Sequence, residues 1–87
     1  QGATKLNDYF DGLQIVRFLF DNDKIGKEHT LSKLKANKTV FLWSMYIKKM
    51  NIQNKVKDIN DIIKLNLFNK EVYESCFSDN EFDAMFV

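Results

Sequence analysis

No proline occurs in this chain, and glycine stands only at positions 2, 12 and 26. Tight hairpins draw on glycine for backbone angles that other residues resist, and irregular connections draw on proline. A chain this poor in both is expected to build itself from helices rather than from a hairpin-rich sheet. The apolar pattern is compatible with that expectation. Leu6, Phe10, Leu13, Val16 and Phe20 recur at helical spacing, and Ile15, Phe18 and Leu19 widen the stripe, so a helix is predicted over residues 6–20. Asp21, Asn22 and Asp23, followed by Gly26, then break the pattern with residue types suited to a turn.

Beyond the turn, residues 27–38 are ambiguous, with a short helical turn available if Leu31 and Leu34 point inward. A second helix is predicted over 39–50, with Asn37 as a candidate N-cap and Val40, Trp43, Ile47 and Met50 on one face. Val56, Ile59, Ile63 and Leu67 mark a third helix from about residue 55. Residues 72–77 suit either a strand-like stretch or one helical turn. Ser78 and Glu81 have capping-box spacing ahead of a final short helix over 79–87, with Phe82, Met85 and Phe86 turned inward. The fold class expected is therefore all-α, a small bundle of four to five helices. Gln1-Gly2 fits the remnant of a cleaved tag, and residues 3–87 are read as a single helical domain.

A chain of 87 residues holds one domain, and 45% of its residues are hydrophobic, eight of them phenylalanine. At this size only about three-fifths to two-thirds of the unfolded surface is buried on folding, so some apolar side chains are expected to remain available to a partner. Thirteen basic and twelve acidic residues leave a net charge of +1, which lacks the strong positive excess typical of nucleic-acid binding. The charges are nonetheless segregated: lysines dominate from Lys24 to Lys57, and Glu71, Glu74, Asp79, Glu81 and Asp83 make the last third acidic. One cysteine, Cys76, allows no internal disulfide and fits a reduced, intracellular (cytoplasmic) compartment. No apolar run approaches the ~20 residues that span a bilayer.

The inventory for catalysis is thin. His29 and Cys76 are the only members of their types, and a thiol nucleophile needs a base held beside it. One cysteine and one histidine do not assemble a zinc site, and too few glycines are present for a phosphate-cradling loop. Neither an enzyme nor a bound cofactor is expected.

One local pattern carries a family likeness. The segment from Leu13 to Gly26 ends in Asp21-Asn22-Asp23-Lys24-Ile25-Gly26 and resembles the entering helix and first half of an EF-hand calcium loop. In such loops carboxylates at positions one and three meet a hard cation, and glycine at six permits a sharp bend. Lys57 to Ile63 is similar to the entering helix of a second hand, and Phe77 to Phe86 to an exiting helix of a calmodulin-like or myosin-light-chain-like lobe. The resemblance implies a degenerate EF-hand pair in which Asp21 and Asp23 form at most a weak or vestigial calcium site. Ser32 stands where the loop's bidentate glutamate belongs, and the second loop, around residues 66–71, holds one carboxylate, Glu71.

The function expected is that of a non-catalytic protein–protein interaction module, calcium-independent or weakly calcium-dependent. Met45, Met50, Phe82, Met85 and Phe86 would line an apolar groove that accepts a partner's amphipathic helix. Glu74, Asp79, Glu81 and Asp83 would form an acidic rim facing basic residues on that helix. The alternative is a helical module whose basic middle region contacts nucleic acid or an acidic protein segment.

Overall fold

The computed structural model describes residues 3–10 and 13–87, with side chains described from residue 16 onward. It overturns the all-α bundle. A four-stranded mixed sheet runs through the domain in the order β1-β2-β3-β4. Strands β1 (Ala3–Phe10) and β2 (Leu13–Phe20) pair antiparallel from Ala3 opposite Phe20 to Phe10 opposite Leu13. Helix α1 (Lys24–Lys35) then carries the chain to β3 (Thr39–Phe41), which runs parallel to β2 with Arg17 opposite Thr39 and Phe18 opposite Val40. Three short helices follow, α2 (Trp43–Met50), α3 (Ile59–Lys64) and α4 (Lys70–Glu74). The chain returns through β4 (Phe77–Ser78), antiparallel to β3, and ends in a 3₁₀ helix over Glu81–Phe86.

The helical stripe expected over residues 6–20 is thus two strands. Leu13 to Phe20 is a nearly unbroken apolar run, and over such a stretch helical and strand periods are hard to tell apart. The discriminating signal was Asp11-Gly12, a dipeptide that favours two-residue hairpin connections and stands between the two paired strands. Residues 13–20, expected as a helix, lie in a strand, and residues 24–32 lie inside α1. The inward stripe of Leu6, Phe10, Leu13 and Ile15, and the tag reading of Gln1-Gly2, lie outside the described side chains and residues.

Because strand side chains alternate between faces, the sheet separates two layers of core. On one face Phe20, Val40 and Leu42 meet Leu34 of α1, with Ala84, Phe86 and Val87 packed against them. On the other, Leu19 and Phe41 meet Trp43, Tyr46, Ile52, Val56, Ile62 and Cys76. Phe41 lies at the centre of the second layer, its ring centroid 5.0 Å from that of Trp43, 5.6 Å from Tyr46, 5.2 Å from Tyr73 and 5.4 Å from Phe77. Two buried polar side chains are satisfied by backbone groups, the first of them across the two layers. The Trp43 indole N–H donates to the Phe20 carbonyl at 2.7 Å, and the Tyr46 hydroxyl donates to the Leu67 carbonyl at 2.8 Å while accepting from the Asn69 amide at 3.1 Å.

Asparagine does the work expected of glycine. Asn37, Asn51 and Asn66 have φ of 60°, 54° and 58° at the ends of α1, α2 and α3. In each case the next amide reaches back to a carbonyl five residues earlier: Lys38 to Lys33, Ile52 to Ile47 and Leu67 to Ile62. This is the Schellman closure of a helix. Asn37, expected to begin a helix, instead ends one. Gly26 is needed for a different reason: a Cβ there would overlap the Asp21 carbonyl, since the first turn of α1 rests on that backbone.

Phe41→Ala should lower unfolding free energy by about 3–5 kcal/mol, through lost transfer energy and a cavity among four rings, read as a shift in the urea midpoint. Asn51→Gly should be neutral or stabilise by up to ~1 kcal/mol, whereas Asn51→Val should cost at least ~1 kcal/mol because a β-branched residue resists left-handed backbone. Equal midpoints for the two Asn51 variants would remove this account of the helix ends.

Candidate functional site

In a 3₁₀ helix residues three apart are stacked along one edge. Over Glu81–Phe86 this separates three edges: Glu81 with Ala84, Phe82 with Met85, and Asp83 with Phe86. Ala84 and Phe86 pack against the first core layer, so Phe82 and Met85 are left facing outward. They are 86% and 78% exposed, the highest values among the exposed large apolar residues described. A solvated Phe and Met on one edge form an apolar stripe on a short element.

The stripe is held in place by polar tethers. Ser44 Oγ and Lys27 Nζ donate to a Val87 oxygen at 2.6 and 2.9 Å. Asn37 Nδ2 donates to the Asp79 carbonyl at 3.4 Å, Ser78 Oγ donates to Asp83 Oδ2 at 2.6 Å, and Asn80 Oδ1 accepts from the Phe82 amide at 3.0 Å. The helix cap is therefore Asn80, not the Ser78–Glu81 box expected. Ser78 accepts from the Asn80 amide and occupies its own hydrogen on Asp83.

The five expected groove residues do not share one surface. Met45 packs against both core layers, Met50 against the layer around Phe41, and Phe86 against the layer around Leu34. Only Phe82 and Met85 stand together in solvent. Of the acidic rim, Asp79 and Glu81 are exposed beside the stripe, Asp83 is partly buried on Ser78, and Glu74 lies on α4 in an ion pair with Arg17 at 2.7 Å. The Arg17 guanidinium in turn lies 4.2 Å from the centre of the Phe77 ring. Exposure at Phe82 and Met85 was hidden from sequence reasoning because helical spacing says which residues share a face, not which face is covered.

Asp23 is the N-cap of α1, its Oδ1 accepting from the Gly26 amide at 2.7 Å, and Asn22 is tied by its amide and side chain to the Lys57 and Val56 carbonyls at 2.6 and 2.8 Å. Among the described residues no group of three or more His, Cys, Asp or Glu side chains is placed to hold a metal ion. No helix described is long and apolar enough to cross a membrane.

His29 and Cys76 belong to different layers. His29 stacks on Phe20 with centroids 5.5 Å apart and is exposed, whereas Cys76 is fully buried in the layer around Phe41. Burial pushes the Cys76 thiol above its ordinary value of 9.0, the Ser75 hydroxyl and Lys49 acting the other way. Burial also pushes the Tyr46 phenol above 10.0, with the Asn69 hydrogen bond opposing it. No protein-family profile, curated protein or solved structure matches this chain.

The folded state keeps protons on Cys76 and Tyr46 that the unfolded chain releases. Their contribution is thus complete below pH 9 and is lost as pH rises through the two folded values, while Lys27, lowered by burial, works in the opposite sense below 10.5. Cys76→Ala should therefore flatten the fall in urea midpoint above about pH 9, where the unfolded thiol ionises. The native thiol should be silent toward Ellman's reagent at pH 8 and react fully in denaturant; fast native labelling would contradict its burial.

Proposed function

We propose that this chain is a non-catalytic protein-interaction module that docks a partner's amphipathic, basic helix on the Phe82–Met85 stripe, independently of calcium. The observation that carries the reading is the outward pairing of these two side chains on an element otherwise anchored to the core. Displaying a Phe and a Met to water forgoes roughly 1.5–3 kcal/mol of burial each, which a covering helix face would recover. Exposed Asp79 and Glu81 lie close in sequence to the stripe and supply negative charge. Charge at the rim of an interface sets on-rate and orientation more than affinity, so lysines or arginines on the partner helix would fix its direction. Methionine and phenylalanine together suit this role because a flexible thioether adapts to a partner's shape while the ring supplies area.

The test is titration of the folded protein with a synthetic amphipathic Leu/Lys helix, read by anisotropy in the presence and absence of calcium. Phe82→Ser with Met85→Ser should weaken binding at least tenfold. Thermal stability should move by only about ±0.5 kcal/mol per substitution, because neither side chain is buried. Equal affinity of wild type and variant would remove the stripe as the docking surface.

A second reading is favoured by the placement of charge. Residues 24–57 carry nine lysines and a single acid, Glu28, and all of those lysines except Lys27 and Lys33 are exposed. This basic middle region would contact nucleic acid or an acidic protein segment. Phosphate contacts weaken steeply with salt, so retention on a polyanion resin into high salt supports this reading and elution at low salt counts against it.

A further inference from the structure

A cleft of about 730 Å³ opens where the start of α1, the middle of α2 and the loop over residues 52–58 meet. Its volume falls within the range of small-ligand sites, and its mouth is open to solvent. Ile47 of α2 and Val56 of the loop line it, and so do Lys27, Lys55 and Lys57. Lysine stems are apolar and their ends charged, so these side chains add apolar wall to the cleft and carry ammonium groups at their ends.

Asp23 and Asp61 line it as well, and each accepts a hydrogen bond from a backbone amide. Asp23 Oδ1 caps α1 through the Gly26 amide at 2.7 Å, and Asp61 Oδ2 accepts from the Lys57 amide at 2.8 Å. Lys55 and Lys57 are exposed and have no carboxylate partner among the described residues. Lys27 is half-buried, donates to a Val87 oxygen at 2.9 Å, and burial holds its ammonium below the ordinary value. Three lysines against two aspartates leave the lining with an excess of one positive charge, which favours an anion. The walls are also tied together: Asn22 binds the Val56 and Lys57 carbonyls, so the loop carrying two of the lysines is hydrogen-bonded to the residue preceding the α1 cap.

We infer that this cleft binds a small amphipathic organic anion, an apolar body seated against Ile47 and Val56 with its carboxylate, sulfonate or phosphate held by Lys27, Lys55 and Lys57. The site is separate from the Phe82–Met85 stripe and does not rest on the docking of a partner helix there. The anion is held by charge and the body by burial, so both parts are required. A bare inorganic anion lacks the apolar contribution and a neutral apolar compound lacks the ammonium contacts.

The experiment titrates the ¹⁵N-labelled native protein with 8-anilinonaphthalene-1-sulfonate, and in parallel with uncharged N-phenyl-1-naphthylamine and with inorganic phosphate. Saturable shifts centred on the amides of Asn22, Ile47, Val56 and Lys57 are expected with the sulfonate. Binding at least tenfold weaker is expected with the neutral analogue and with phosphate. Lys55→Gln with Lys57→Gln, which leaves every backbone bond of the loop in place, should weaken the sulfonate at least tenfold without altering the peptide affinity of the stripe. Val56→Ala tests the apolar contact separately and should weaken the sulfonate and the neutral analogue alike. Shifts centred on Phe82 and Met85, equal affinity for the neutral analogue, or an unchanged affinity in the double-glutamine variant would each overturn the assignment.

Discussion

The short segment Val40-Phe41-Leu42 is buried on every side, none of the three residues being more than 1% exposed. A strand can be covered on both faces only if chain is packed above and below it. One apolar side chain faces α1 and the next faces the opposite layer, so a second layer of helix becomes obligatory. The parallel pairing with β2 imposes the other demand, since parallel neighbours cannot be joined by a tight turn and require a crossover. Helix α1 is that crossover. Residues 27–38, ambiguous by apolar spacing, supply most of the helix that makes the β2–β3 pairing possible.

Around this segment the polar atoms are few and placed where a layer would otherwise slip. The Trp43 indole on the Phe20 carbonyl links the start of α2 to the end of β2, and the Tyr46 hydroxyl bridges α2 to the turn between α3 and α4. Leaving any of these partners without its bond in the interior costs about 1–3 kcal/mol, a sizeable fraction of a small domain's stability. Asparagine completes the network. Asn22 joins two loops, Asn69 and Asn80 cap helices, and Asn37, Asn51 and Asn66 close them. One residue type thus supplies both the side-chain acceptor at helix starts and the left-handed backbone at helix ends.

The two surfaces read as functional share a support in Lys27. Lys27 contributes to the cleft and donates to a Val87 oxygen, just past the end of the 3₁₀ helix that carries Phe82 and Met85. The stripe and the cleft are therefore independent in their chemistry yet adjacent in their supports. The sequence picked out Phe82 and Met85 as groove residues but not their separation from Met45, Met50 and Phe86, and it gave no sign of the cleft. Residues of the cleft come from positions 22 to 61, brought together by the crossover and by the α2–α3 loop. The stripe owes its exposure to the covering of Ala84 and Phe86.

Much of the local structure was written in short-range chemistry. Asp21-Asn22-Asp23 was readable as a turn, and the helices expected over 39–50 and from about residue 55 contain α2 and α3, though 39–41 is strand, because caps and apolar spacing act within one or two turns of chain. The Asp11-Gly12 pair carried a hairpin signal that the scarcity of glycine and proline outweighed. Fold class and site geometry lay beyond that range. Leu13 to Phe20 satisfies both a helical and an extended period, and only the availability of β1 and β3 as hydrogen-bonding neighbours selects the strand. By itself the sequence determined which residues must be hidden and where the chain must turn. Tertiary structure alone decided which neighbour hides them, because burial is shared between segments far apart in sequence, and so decided which apolar side chains, Phe82 and Met85 above all, were left in water.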